Sequence, residues 1–312
     1  MVPDSSADED RFTDIAGLKV GHAEDAQART GVTVILPDPP VVMGVDVRGG
    51  GPGTRETDAL APHTLVERFH GLVLSGGSAF GLGAADGVAA WLSERGVGLP
   101  VGARPVPVVP AAILFDLSNG GDKNWGLEPP YRRLGLEACE SAGLECPHGP
   151  VGAGFGARAG SRPGGIGTAR ITCTRTGWQV AALIAVNSFG EVYAGEPPVN
   201  APVALPKVPI PGTNTTIGVV ATNAPITKAQ AQKLAQMAQD GLARAIRPIH
   251  TPFDGDTLFA LSTAEAGQAP LAPLDLAVLG TLGGGLRCPR RPPGSRTLRL
   301  VISQRSRAPC KG

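Results

Sequence analysis

The stretch IPGTNTTIGVVATNAP, residues 210–225, puts a polar Asn214-Thr215-Thr216 cluster directly before an apolar run. The Pro-Gly pair ahead of the cluster predicts a turn, and the β-branched residues after it favour a strand. A turn that leads into a buried strand accounts for these residues without any chemistry. The alternative is that the chain is cut before Thr215. That residue would then carry both a hydroxyl nucleophile and a free α-amine that can act as its base.

The residues on either side of this cluster extend the pattern. The preceding segment carries proline at six positions between residues 197 and 211, which predicts a linker or surface loop. After the strand, Thr227 is positioned to cap a helix that keeps one apolar face as far as Arg247, where Pro248 ends it. DTLFALST, residues 256–263, then predicts another strand.

Earlier segments predict a mixture of strands and helices. Residues 72–74 form a short strand, residues 75–77 a sharp turn, and Ser78 caps a helix to about Arg95. A second helix runs from Pro130 to Gly143. Residues 180–193 predict a hairpin whose turn is residues 187–190. Because strands and helices mix without a regular βαβ order, the fold class is α+β, with helices covering stacked sheets.

Composition excludes several classes of function. The chain has 312 residues, 18% charged, with a net charge of +1, so it has no electrostatic signature of nucleic-acid or anionic-membrane binding. Its five cysteines fit neither a zinc site nor a disulfide framework, which predicts buried free thiols in a reducing compartment. The polar, acidic start is unlike a signal peptide. We therefore expect a cytoplasmic soluble protein with a disordered leader at residues 1–12.

Familiar cofactor and metal motifs do not match. The runs RGGGPG and LSGGSAFG lack the Lys-Ser/Thr ending of a nucleotide loop and the spacing of a dinucleotide fingerprint, so they predict tight turns. None of the five histidines has metal-ligand spacing, and each is interpreted as a surface or core residue. No cofactor and no metal are expected.

Asp254 and Asp256 flank Gly255 just before the last predicted strand. Two carboxylates here can simply cap a turn. They can also orient a nucleophile and a protonated amine nearby, and the residues alone leave both interpretations open.

Several long segments together resemble one family. They are TDIAGLKVGHAED, LSGGSAFGLGAADGV, VPVVPAAILFDL, GDKNWGLEPPYRRLG and NTTIGVVATNAP with its continuation through HTPFDGDTLFAL. Over about residues 12–283 the chain resembles the L-aminopeptidase/D-esterase peptidases, which include β-aminopeptidases and the nylon-oligomer endohydrolase. The resemblance implies a four-layer αββα sandwich related to N-terminal-nucleophile hydrolases, made as one chain that cuts itself and assembles as a homotetramer.

The resemblance also assigns roles to residues. It implies a cut between Asn214 and Thr215, which gives a large fragment (13–214) and a small one (215–312) of a single domain. Thr215 becomes the nucleophile, Asn187 helps to hold the oxyanion, and Asp254 and Asp256 support the nucleophile. Two features depart from the family pattern. Ser161 stands where the family usually has a lysine near the nucleophile, and the tail, residues 284–312, does not read as the family's terminal helix.

The function expected on these grounds is hydrolysis of amide bonds in small peptides or oligoamides, as by an aminopeptidase, amidase or nylon-oligomer hydrolase. Two alternatives stay open at this point. One is an acyltransferase related to ornithine acetyltransferase, and the other is an unprocessed, inactive binding protein.

Overall fold

The computed structural model describes residues 11–193, 213–290 and 299–302, with side chains through residue 285. Its strands are β1 (Leu18–Asp25), β2 (Thr30–Pro37), β3 (Val42–Val47), β4 (Thr54–Arg55), β5 (Leu72–Ser75), β6 (Ala111–Ile113), β7 (Arg158–Ala159), β8 (Arg162–Pro163), β9 (Gly165–Thr172), β10 (Gln179–Asn187), β11 (Glu191–Val192), β12 (Thr215–Thr222), β13 (Ile246–Arg247), β14 (Thr257–Ser262), β15 (Leu286–Arg290) and β16 (Arg299–Ile302). Its α-helices are α1 (Ala84–Glu94), α2 (Tyr131–Glu140), α3 (Lys228–Ala243) and α4 (Pro273–Gly285).

Two five-stranded sheets form the centre of the fold. The first has the order β1-β2-β5-β6-β4 and the second β3-β14-β12-β10-β9. The β5–β6 and β12–β14 pairs are parallel, and the other pairs in these sheets are antiparallel. Every residue of β2 and β12 is buried, as expected for strands covered on both faces.

Alternating side chains of the strands define the layers. In β5, Leu72 and Leu74 join the cluster between the two sheets, whereas Val73 points outward to the cluster that contains α1 and α2. In β12, Val219 points into the inter-sheet cluster and Val220 packs in the cluster of α3 and α4. The predicted α+β class and the four-layer αββα sandwich are confirmed.

Helix α3 begins as predicted and ends earlier. The Thr227 hydroxyl accepts a hydrogen bond from the Gln230 main-chain N–H, and the Gln230 side chain accepts one from Thr227 N–H, which forms a capping box. The helix stops at Ala243, so the prediction that it reaches Arg247 is wrong. Residues 246–247 form β13 instead, and their pairing with β11 keeps them out of the helix.

The predicted hairpin of residues 180–193 is also wrong in its second strand. β11 pairs with β13, not with β10. The reason is that β10 already has β9 on one side and β12 on the other, so no edge remains for β11.

The glycine turn after β5 is confirmed, but Ser78 does not cap a helix. Gly77 and Ser78 both have positive φ, 85° and 52°, and the N-cap residue of the next element is Gly77, with no side-chain cap bond. A 3-10 turn (Ser78–Gly83) follows, and α1 starts only at Ala84.

The predicted end of the leader, at residue 12, lies inside the fold. Phe12 is fully buried between the sheets, so the expected leader, residues 1–12, overlaps the fold at its last residue; residues 1–10 lie outside the described part. At the other end, α4 is followed by the antiparallel pair β15–β16, while residues 291–298 and 303–312 of the atypical tail lie outside the described part.

The structure describes the side chains of three of the five cysteines. Cys139 and Cys146 are buried free thiols, as expected, and Cys173 is buried, whereas the side chain of Cys288 and all of Cys310 lie outside the described residues. Within the described residues, no helix is long and apolar enough to cross a membrane.

Candidate active site

Three parts of the second sheet meet where β12 begins. Thr215, its first residue, lies opposite Asn187, the last residue of β10, in the antiparallel register. Asn214 forms a parallel bridge with Asp254, in the turn that precedes β14. Residues that are far apart in the sequence thus converge at one end of adjacent strands.

The peptide bond between Asn214 and Thr215 has two hydrogen-bond donors at its carbonyl. The Thr215 hydroxyl donates to the Asn214 oxygen at 2.5 Å, and the Gly255 main-chain N–H donates to the same oxygen at 2.9 Å. Thr215 is only 1% exposed. A buried hydroxyl and a polarising main-chain amide are therefore both held at one carbonyl.

Asp256 is a fully buried carboxylate that joins two segments. One oxygen accepts the Thr216 main-chain N–H at 2.6 Å. The other accepts two donors of His250, the main-chain N–H at 3.0 Å and ring Nδ1 at 2.9 Å. Asp256 therefore fixes the main chain one residue after Thr215.

Asp254 is held separately. One of its oxygens accepts the Thr251 N–H at 2.9 Å and the Thr251 hydroxyl at 2.6 Å, and the other accepts Phe189 N–H at 3.3 Å. Burial, and secondly the negative charge of Asp256, raise the pKa of Asp254 above its usual range. In this uncut chain the Thr215 hydroxyl donates to the Asn214 carbonyl, while Asp256 binds the Thr216 N–H and Asp254 binds Thr251 and Phe189.

Asn187 has a fixed orientation. Its Oδ1 accepts the Arg158 main-chain N–H at 2.8 Å, and its Nδ2 donates to the Phe115 carbonyl at 2.9 Å. The residue is 4% exposed. Because an amide nitrogen carries two protons, one remains after the bond to Phe115.

The Phe115 carbonyl is itself secured by its neighbour in the chain. Asp116 is buried and accepts the Gly77 main-chain N–H at 2.8 Å, which ties this segment to the glycine turn after β5. Burial raises the pKa of Asp116. The turn that sequence analysis assigned to LSGGSAFG thus supports Asn187 indirectly.

The RGGGPG run also serves the site. Gly49 N–H donates to the Asp256 carbonyl at 3.2 Å and Gly51 N–H to the Asp254 carbonyl at 2.8 Å. A Cβ at Gly49 would lie 2.3 Å from the Asp256 nitrogen, which no side chain tolerates. Because these glycines lack side chains, the main chain of residues 49–51 can approach and hydrogen-bond the main chain of residues 254–256. The prediction of a simple tight turn missed that role.

Ser161 lies in the exposed turn between β7 and β8. Its main-chain N–H donates to the Glu191 carboxylate at 2.7 Å. The position where the resembling family has a lysine thus adjoins an acid.

The structure therefore brings together Asn187, Asn214, Thr215, Asp254 and Asp256, all of which sequence analysis singled out. It adds the Gly255 N–H and His250, both of which sequence analysis missed. The described residues contain no group of three or more His, Cys, Asp and Glu side chains that could hold a metal ion.

The fold matches solved aminopeptidases, one of which is described as a variant of the Ntn hydrolase fold. A β-aminopeptidase from Burkholderia sp. aligns with a TM-score of 0.68 at 24% identity, over 88% of this chain and 83% of that one. The L-aminopeptidase D-Ala-esterase/amidase of Ochrobactrum anthropi, described as a variant of the Ntn hydrolase fold, aligns with a TM-score of 0.64 at 20% identity, over 94% and 91%. These likenesses define the fold class.

Sequence comparison then gives the family. Residues 10–284 match peptidase family S58, and the chain belongs to that family. It is 43% identical over 298 residues to an uncharacterized aminopeptidase of Mycobacterium tuberculosis, covering 86% of this chain and 85% of that protein. It is 29% identical to the 6-aminohexanoate-oligomer endohydrolase of Kocuria sp., covering 81% and 74%. The chain is thus a hydrolase of the aminopeptidase and amidase type, and the match ends where the atypical tail begins.

Proposed function

We propose that the chain cuts itself between Asn214 and Thr215, and that Thr215 then hydrolyses amide bonds of short peptides or oligoamides as an N-terminal nucleophile. One observation carries the proposal. The Thr215 hydroxyl and the Gly255 N–H both bind the Asn214 carbonyl, at 2.5 and 2.9 Å. A nucleophile and an oxyanion donor at one carbonyl are the two groups that acyl transfer needs.

The self-cleavage proceeds in two steps. The Thr215 oxygen attacks the Asn214 carbonyl carbon, and Gly255 N–H stabilises the negative oxygen that forms. The C–N bond then breaks, the hydroxyl proton passes to the departing nitrogen, and Asn214 is left as an ester on Thr215. Water hydrolyses the ester, which leaves a carboxylate on Asn214 and a free α-amine on Thr215.

The same residues then act on substrate. The free amine has an ordinary pKa of roughly 7.7–8.0, so it can take the hydroxyl proton near neutral pH and return it to the leaving amine. The second Nδ2 proton of Asn187 donates to the oxyanion of the substrate. Asp254 and Asp256 orient the Thr215 amine and hydroxyl. The pairing of Asn187 with Thr215 across the sheet supports these roles.

The substrate class rests on the relatives. The Mycobacterium tuberculosis relative is named an aminopeptidase, and the Kocuria relative acts on 6-aminohexanoate oligomers. We extend both to this chain as short peptides and linear oligoamides. We also propose a homotetramer in the cytoplasm. Light scattering then gives about four times the 31.7 kDa chain mass, and a monomer mass would reject the tetramer.

The proposal is tested with Thr215→Ala and Thr215→Ser. The alanine variant should stay a single chain and leave amide substrates intact, while the serine variant keeps a hydroxyl and should retain cleavage. Adding a primary amine to the assay distinguishes the acyltransferase alternative, since a transferase would form the new amide in preference to the free acid. A wild-type chain that stays whole and inert would favour the binding protein.

A further inference from the structure

His250 donates two hydrogen bonds to the Asp256 carboxylate. Its main-chain N–H and its ring Nδ1 both reach the same carboxylate oxygen, at 3.0 and 2.9 Å. An ionised carboxylate only accepts hydrogen bonds, so Nδ1 carries the proton in this contact. The Asp256 side chain is fully buried and that of His250 is 16% exposed, so the contact is largely withdrawn from water.

The other Asp256 oxygen binds the main chain next to the nucleophile. It accepts the Thr216 N–H at 2.6 Å, and Thr216 directly follows Thr215. A buried carboxylate with one oxygen released would be free to rotate away from this amide. His250 therefore controls how firmly Asp256 holds the Thr215–Thr216 peptide.

The backbone of His250 gives a second, independent indication. Its φ is 56°, in the left-handed region that glycine and asparagine adopt far more readily. Strained backbone at a non-glycine residue is concentrated at functional sites. Its Nε2 is also buried without a hydrogen-bond partner among the described residues, an unfavourable arrangement for a residue that serves only a turn.

We propose that His250 is a positioning residue of this active site: it holds Asp256 against the Thr216 N–H and so fixes the Thr215 main chain for attack. The inference rests on the proposed function, because its effect is read through cleavage before Thr215. It assigns the histidine no contact with the reacting atoms.

Three variants isolate the ring donor. His250→Asn and His250→Gly both accept the left-handed backbone. Asparagine keeps a side-chain N–H near the position of Nδ1, whereas glycine keeps only the main-chain donor. His250→Asp is nearly isosteric with the asparagine variant but offers no donor and adds a like charge. His63→Asn, at an exposed histidine, is the control.

The experiment follows fragment appearance after cell-free synthesis of the full chain, and then kcat and KM of the processed protein on a short oligoamide. His250→Gly should slow cleavage and lower kcat by about 10- to 100-fold with little change in KM, the factor for one lost hydrogen bond to a charged group. His250→Asn should restore both rates to within about threefold, the ratio that a small fraction of that energy gives. Circular dichroism checks that each variant is folded.

Other results overturn the inference. If His250→Gly cleaves and turns over like the wild type, the ring donor does nothing for the site. If the glycine and asparagine variants are equally slow, the donor is not what matters. Should the glycine variant fail to fold, the asparagine–aspartate pair decides: equal rates contradict the inference. A wild-type chain that never cleaves overturns the proposed function itself, a result distinct from these.

Discussion

Asn187 and Thr215 are the final pair in the antiparallel register between β10 and β12. The position of this pair determines which contacts a cut before Thr215 would break. Since β12 begins at Thr215, a cut before that residue breaks none of the register pairs between β10 and β12, and the bridge between Asn214 and Asp254 lies on the side that is released. The nucleophile can therefore be freed at its amine while its main chain stays anchored in the sheet.

Asn187→Ala should lower turnover of the processed enzyme by about 10²–10³, the usual effect of removing one oxyanion donor. Asn187→Asp should be at least as harmful, because it places a negative charge where another develops. Steady-state kinetics on processed protein measures this. Near-normal turnover of processed Asn187→Ala would remove the residue from the reaction.

Gly255→Ala should slow self-cleavage. A Cβ there would lie 2.8 Å from the Thr215 hydroxyl and 2.8 Å from the Gly51 carbonyl, so the nucleophile must shift. Small displacements of a reacting group can cost about 100-fold in rate. Gly102→Ala, where a Cβ meets nothing within 4 Å, is the matched control. Equal cleavage half-times in the two variants would refute the assigned geometry.

Ser161→Lys should speed self-cleavage and move the rate profile to lower pH. Before the cut, a lysine near the nucleophile adds positive charge that stabilises the developing oxyanion. Once Thr215 carries a free amine, the same charge keeps that amine neutral. Because Glu191 lies beside residue 161, the gain should be larger in Ser161→Lys/Glu191→Gln. Ser161→Met controls for side-chain length. If lysine and methionine variants cleave alike, residue 161 does not influence the nucleophile.

Asp254 should make stability depend on pH with a defined sign. Its pKa is raised in the folded protein, so the folded state binds more protons than the unfolded one above pH 3.8. The free energy of unfolding therefore falls as pH rises through this window, by at most about 1.4 kcal/mol per pH unit for one group.

Urea unfolding of Thr215→Ala and Thr215→Ala/Asp254→Asn isolates this effect, since both variants stay single chains. The stability of the single variant relative to the double variant should decline from about pH 4 upward. A difference that is constant or grows with pH would contradict the raised pKa.

Local pattern was enough to predict much of the second sheet and its helix. The apolar runs of β10, β12 and β14 and the Thr227 cap are signals carried by neighbouring residues. The start of α1 and the end of α3 were misplaced because left-handed backbone at Ser78 and the pairing of β13 with β11 are not visible in local propensity.

The site depends on contacts between distant residues. Nothing local to Asn187 indicates that it faces Thr215, and only the family resemblance placed it there. His250 was interpreted as an ordinary histidine because no metal spacing surrounds it. The available signal was its position six residues before Asp256, close enough along the chain for its ring to meet that carboxylate.

The most direct test of the account is N-terminal sequencing and intact mass of the purified wild-type chain beside Thr215→Ala. Cleavage as proposed gives two wild-type fragments, residues 1–214 and 215–312, the smaller one beginning Thr-Thr-Ile-Gly, and one uncut chain for the alanine variant. A smaller fragment with any other start, or a wild-type chain that remains whole at 31.7 kDa, would contradict it.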